Sequence, residues 1–269
     1  MVKMCKKTVT ETQPAFTDKT VSANVCGDFP GTANDLEGPP RDAVAFRDKV
    51  ESMWEDVTFR KFQDSEMTRR RLLSEIEEAI SHVGPDGMLF FIMDICHAES
   101  ATRNGGPRTF PGQGVLRGIG YDKVLVFSSS LSSQYSSDAQ FSTGAYGAWH
   151  YALTNTLAPN ITYLEWFTRA KDLLAKLGFK QIPVIEGPLS LQNRLVFEGN
   201  VQAIEVSSHG GQIADRDGDE PDGRDEVVYT VDGYVKDDEI RALIEGWKSR
   251  GLKIRPIITK VGRLLGFLR

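Results

Sequence analysis

This sequence predicts an α/β fold built on a mostly parallel central sheet flanked by helices, and three observations lead there. Met88–Met93, Lys123–Ser128 and Val201–Ser207 are short, almost continuously apolar runs, as expected of central strands covered on both faces. Segments with apolar residues at helical spacing lie between and around them. Polar or glycine-rich sequence follows each run, so the strand ends can carry loops along one edge of an open sheet.

The elements follow in chain order. Residues 1–20 are polar, Thr-rich and aperiodic and read as a flexible N-terminal arm before a first strand at Val21–Cys26. Gly27–Pro40 is dense in turn formers and reads as a long loop. Asp42 opens an amphipathic helix to about Val50, and Val57–Phe62 alternates as a short strand. Thr68 is a good N-cap for a helix over Arg69–Val83, where Leu72, Leu73, Ile76, Ala79, Ile80 and Val83 share a face. The Met88–Met93 strand runs directly into Asp94-Ile95-Cys96-His97, and a glycine-rich loop, Asn104–Gly120, precedes the next strand. Polar Ser129–Ser142 leads to helices at Ala145–Leu157 and, capped by Thr162, at Tyr163–Leu177. Val201–Ser207 ends in Ser208-His209-Gly210-Gly211, followed by an acidic loop, Asp215–Glu226. A short strand at Val227–Val231, a helix from Asp237 to about Arg250 and a strand at Leu252–Thr259 are expected after it.

With 269 residues, 40% hydrophobic and 26% charged, the chain can bury one sizeable core, and a single domain over residues 21–269 is expected. The net charge is −5 and the Lys and Arg residues are scattered among acids, so no basic stripe invites nucleic acid. No apolar run approaches the eighteen or so residues that span a bilayer, so no membrane partner is expected. The first residues lack the apolar region of a signal peptide, and the expectation is a cytoplasmic protein. Three cysteines, an odd and small number, argue for a reducing compartment in which a working thiol survives.

Open α/β sheets place their sites at the carboxyl ends of strands. Two of the buried strands end there in reactive groups, Cys96 and His209. A thiol at its free pKa is mostly protonated, and a neighbouring imidazole generates the thiolate needed for nucleophilic catalysis. Gly210 and Gly211 leave backbone able to approach a substrate carbonyl and donate hydrogen bonds to it. The bland alternative is a Cys that is a small buried hydrophobe and a His that is a satisfied polar residue.

Asp94-Ile95-Cys96-His97-Ala98-Glu99-Ser100 resembles the Asp-Ser-Cys-His-Ser-Gly nucleophile motif of the metacaspases, and Ser207-Ser208-His209-Gly210-Gly211-Gln212 resembles their Ser-Gly-His-Gly-Gly-Gln base motif. The acidic stretch Asp217–Glu226 with Asp237-Asp238-Glu239-Ile240 is similar to the family's acidic loop and the helix behind it. Asn34–Gly38 with Asp42, and Thr162-Tyr163 with Gln181–Gly187, are weaker matches to the loop after the first strand and to the small-subunit region. The resemblance implies a caspase-like three-layer sandwich and a cysteine endopeptidase acting on protein or peptide substrates, the chain itself included through self-processing. Cys96 would be the nucleophile, His209 its base and Gly210 an oxyanion donor. Asp94, with Asp42, would line the pocket for an Arg or Lys before the scissile bond, held by charge-assisted hydrogen bonds. Asp225, Asp237 and Asp238 match acidic positions through which calcium activates many metacaspases, and oxygen ligands suit that ion.

Two departures accompany the resemblance. In the family the His strand precedes the Cys strand, whereas here the Cys segment and small-subunit-like region (86–199) come before the His segment (200–269). Ala98-Glu99 also replaces the family's Ser-Gly. A catalytically silent caspase-fold regulator or scaffold is therefore the second reading. For Asp42 and Asp94 the alternative role is capping of a nearby helix or turn; His150, in a helix between Trp149 and Tyr151, reads as core packing.

Overall fold

A computed structural model describes residues 12–27, 29, 35–96, 98, 122–131, 133–216 and 223–249. His97, Glu99, the Asn104–Gly120 loop, the centre of the acidic loop (217–222) and the strand expected at Leu252–Thr259 lie outside these residues.

The elements are β1 (Lys19–Val25), α1 (Gly38–Glu51), β2 (Thr58–Gln63), α2 (Arg69–His82), β3 (Met88–Asp94), β4 (Val124–Ser128), β5 (Asp138–Phe141), β6 (Gly144–Gly147), α3 (Ala148–Thr156), α4 (Tyr163–Lys176), β7 (Val184–Glu186), α5 (Leu189–Gln192), β8 (Val201–Ser207), β9 (Gly210–Ala214), β10 (Arg224–Thr230), β11 (Gly233–Lys236) and α6 (Asp237–Ser249). Six strands form the central sheet in the order β2-β1-β8-β3-β4-β7, all neighbours parallel except the antiparallel β4–β7 pair. The decisive feature is β8: late in the chain, it inserts between β1 and β3.

Side chains alternate across β3 and so hold the layers together. Met88, Phe90 and Ile92 pack with Phe46 of α1, Trp149 and Leu153 of α3, and Tyr163 and Trp166 of α4. Leu89, Phe91 and Met93 point the other way, into a cluster with Leu72, Ile76 and Ile80 of α2 and Ile240 and Ile244 of α6. Burial on both faces explains why β3 and β8 contain no exposed residue. The result is the α/β three-layer sandwich that the resemblance implies.

Two expected helix starts are corrected, and the strand expected from Val227 begins at Arg224, inside the acidic stretch. α1 begins at Gly38, not Asp42, because Pro39 and Pro40 occupy the first helical turn, where a missing N–H goes unused; Asp42 thus lies inside the helix and is buried. The helix expected from Ala145 begins at Ala148, since Gly144–Gly147 pairs with Asp138–Phe141 as an antiparallel hairpin. α4 starts where expected, with Thr162 and Glu165 forming a reciprocal capping box.

Candidate active site

β3 and β8 are neighbouring parallel strands whose register pairs Asp94 with Ser207. Cys96 and His209 each stand two residues beyond that pair, so both follow the same carboxyl edge of adjacent strands. The Ser208 N–H donates to the Asp94 carbonyl (3.4 Å), continuing the ladder toward the loop. β8 then passes through His209 into β9, and Gly210 lies directly against Cys96. A side-chain carbon at Gly210 would collide with the Cys96 carbonyl oxygen, so only glycine permits this approach. The His209 ring packs against Phe29 at 4.8 Å between centroids, and its carbonyl accepts from the Tyr229 N–H (3.0 Å).

The Cys96 turn is tied to the end of β4. Ser129 and Ser130 donate to the Ile95 carbonyl (3.0 and 3.4 Å), and Ser128 donates to that of Ala98 (3.2 Å). Cys96 Sγ faces the Ser136 carbonyl oxygen at 3.8 Å. Burial pushes the thiol above its ordinary pKa and the nearby Asp94 charge adds to this, while the Gly210 N–H opposes it. The thiol is therefore protonated at neutral pH in this arrangement.

Asp94 and Asp42 converge on the N-terminus of α3, where backbone N–H groups have no partner within the helix. Asp94 Oδ2 accepts from the His150 N–H (3.1 Å) and its Oδ1 from the Ser136 hydroxyl (2.6 Å). Asp42 Oδ2 accepts from the Gly147 N–H (3.0 Å). The capping role is thus real for both residues, and it does not exhaust them. Asp42 Oδ1 is buried with no hydrogen-bond partner among the described residues. Burial raises Asp94 to about 6; it also raises Asp42 well above the usual carboxylate range, with the Asp94 charge adding to the effect. Gly147 leaves room for the pair, since a side-chain carbon there would stand 2.5 Å from Asp94 Oδ2. Gln181 fixes the Ser136 segment, donating to the Ser129 carbonyl (3.0 Å) and the Ser136 hydroxyl (3.1 Å) and accepting from the Ser137 N–H (2.9 Å).

The three acids expected to hold calcium are placed differently. Asp225 is buried and ion-paired with Lys236, Asp238 pairs with Arg241, and Asp237 is buried in the first turn of α6. Among the described residues, the only group of three or more potential ligands with atoms gathered within 4.8 Å is Asp42, Asp94 and His150. As they stand, the acids at 225, 237 and 238 do not form an oxygen cage, because two of them face cations of the protein's own.

No family model matches the chain. Curated proteins do: metacaspase-1A of Aspergillus oryzae is 44% identical over 55 residues, metacaspase-1 of Ajellomyces capsulatus 52% over 55, and metacaspase-1B of Aspergillus terreus 49% over 58. Over this stretch the chain is similar to the metacaspases. The similar stretch is 19–20% of this chain and 13–15% of those relatives, so the chain spans about a seventh of the length of the metacaspases it matches.

In this arrangement, four residues have a part that the sequence did not assign to them: Ser136, Gln181, His150 and Glu205. Ser136 sits in polar sequence with no period to mark it, and Gln181 just before the short β7 strand with nothing local to mark its reach. His150 is wholly buried beside Phe46 (5.3 Å between ring centroids), as core packing requires, yet it also faces Glu205 at 3.6 Å. Glu205 did leave a signal, because a charged residue inside the run Val201–Ser207 must be buried and calls for a partner.

Proposed function

We propose that this chain is a cysteine endopeptidase of metacaspase type that cleaves after Arg or Lys, with Cys96 as nucleophile and His209 as base. One observation carries the reading: the Asp94–Ser207 register sets the thiol strand and the imidazole strand side by side, with the Gly210 backbone on Cys96. His209 takes the Cys96 proton, and the thiolate attacks the scissile carbonyl. Backbone N–H groups around Gly210 and Cys96 stabilise the oxyanion, the imidazolium protonates the leaving amine, and water then hydrolyses the thioester.

Asp94 and Asp42 would seat the guanidinium or ammonium group, since two buried carboxylates converge there. Charge coupling links this pocket to the nucleophile. The Asp94 charge disfavours the thiolate, so a basic side chain that neutralises Asp94 also favours ionisation of Cys96. The wrong substrate leaves the thiol protonated.

The test is hydrolysis of a peptide with Arg before the scissile bond. Turnover by the wild type and its loss in Cys96→Ala are expected; no wild-type turnover, or undiminished turnover in Cys96→Ala, defeats the proposal. The silent regulator or scaffold draws support from the half-buried, protonated thiol facing the Ser136 carbonyl. If that reading holds, Cys96 alkylates no faster than an ordinary thiol, with or without an Arg peptide. Calcium activation, implied by the resemblance, would require Asp225 and Asp238 to release Lys236 and Arg241. Calorimetric titration of calcium, compared with the Asp225, Asp237 and Asp238 triple Asn variant, tests it. Self-processing is tested by fragments that form in the wild type and not in Cys96→Ala.

A further inference from the structure

A buried polar cluster lies on the α1 and α3 side of the sheet, and the peptidase mechanism leaves His150 and Glu205 within it unused. One ligand atom each from Asp42, Asp94 and His150 lie within 4.8 Å of one another, and all three residues are buried. Among the described residues, neither ring nitrogen of His150 has a hydrogen-bond partner, nor does Asp42 Oδ1. Glu205, wholly buried on β8, sets Oε1 3.6 Å from His150 Nε2, and neither of its oxygens has a hydrogen-bond partner among the described residues.

Buried polar atoms are nearly always satisfied, and each one left without a partner costs about 1–3 kcal/mol. Five such atoms on three wholly buried side chains of one cluster therefore point to a ligand. The donor set identifies its class. Three carboxyl groups and an imidazole call for a cation, and the imidazole selects a borderline first-row ion over calcium or magnesium, which favour all-oxygen shells.

We propose that Asp42, Asp94 and His150 form a binding site for a first-row divalent cation of the zinc class, with Glu205 supporting the imidazole. Donors around zinc at roughly 2.0–2.1 Å stand roughly 3.4 Å apart, so a spread of 4.8 Å closes by small side-chain rotations. A carboxylate beside the ring is the usual companion of a ligating histidine, since it fixes the ring's tautomer and orientation. Asp94 would exchange the Ser136 hydroxyl for the metal, because it lies nearest the Cys96 crevice and retains 5% exposure. Zinc should also exclude an Arg side chain from the same carboxylates; that consequence, unlike the metal site itself, rests on the substrate pocket proposed above.

The experiment is calorimetric titration of the full chain carrying Cys96→Ala, which removes the thiol as a rival ligand. Zinc chloride should bind one per chain, while calcium and magnesium chloride at the same concentrations should not compete. His150→Gln and Asp42→Asn should each weaken zinc by more than about a hundredfold, beyond the 10–100-fold that supporting partners carry. Circular dichroism identifies which variant is folded, and either one suffices. Cobalt(II) should give visible absorption bands that the same variants lose. Absence of stoichiometric zinc uptake by the Cys96→Ala chain, or uptake unchanged in a folded variant, overturns the site. An Arg peptide should displace zinc; if zinc binds and the peptide does not displace it, the metal site stands and the substrate role of Asp42 and Asp94 falls.

Discussion

Glu75 and Glu205 are both buried carboxylates, on opposite faces of the central sheet, and the protein handles them differently. Glu75, on α2, accepts from Arg60 through Nε (3.0 Å) and Nη2 (2.9 Å) and from the Ser22 hydroxyl (2.9 Å). Arg60 is itself held over the Phe16 ring at 4.5 Å and the Phe62 ring at 5.5 Å. Glu205 has the His150 ring at 3.6 Å and two more carboxylates, Asp42 and Asp94, in the same cluster, and burial lifts it to about 8. A buried charge that serves architecture comes with a counter-charge and a stacked scaffold. Among the described residues the cluster beside Cys96 has none, so its electrostatic cost is left for a ligand to relieve.

The largest expected effect breaks the satisfied side of this contrast. Arg60→Ala strands Glu75 and should lower stability by about 3–5 kcal/mol in chemical denaturation, with turnover per folded molecule unchanged. A loss below about 1 kcal/mol would mean that the pair is ornamental. Asp94→Asn should do the reverse, lowering kcat/KM on an Arg peptide by about 2–5 kcal/mol, on the order of 30- to several-thousand-fold, with little change in Tm. Equal losses on Arg and on neutral peptides would remove Asp94 from substrate recognition.

Glu205→Gln sharpens the comparison through pH. In the folded chain Glu205 keeps its proton to about 8, against 4.5 when free, so folding takes up a proton across that window and stability falls as pH rises through it. His150, held by burial at about 3 against 6.5, works oppositely and costs stability as pH drops below 6.5. The slope from Glu205 is therefore clearest between pH 6.5 and 8. Glu205→Gln should reduce that slope and stabilise the chain at pH 8 by about 1–4 kcal/mol. An unchanged slope in thermal melts at pH 6.5, 7.2 and 8 would show that Glu205 does not titrate there.

The same contrast marks what the sequence makes legible. β3 and β8 are readable because a strand buried on both faces needs an apolar run, and α2 and α4 because capping residues and helical spacing are local. Cys96 and His209 stand out because each follows such a run directly. Chain order says nothing of sheet order, so the insertion of β8 between β1 and β3 becomes visible only in three dimensions. The β5–β6 hairpin passed for a helix start because Ala145-Tyr146-Gly147-Ala148 carries no clear period. His150 and Glu205 are 55 positions apart, and their meeting depends on α3 packing against β8, which neither local stretch encodes.

The central claim, that the Cys96 thiol and the His209 imidazole act on one substrate at one edge of the sheet, is tested most directly by covalent trapping. The full chain is treated with a peptidyl electrophile bearing Arg at the position before the reactive carbon, and the adduct is located by peptide mass spectrometry. A single adduct on Cys96, formed in the wild type and strongly slowed in His209→Ala, is the predicted result. Equal labelling in His209→Ala, or an adduct on Cys26 in place of Cys96, would contradict it.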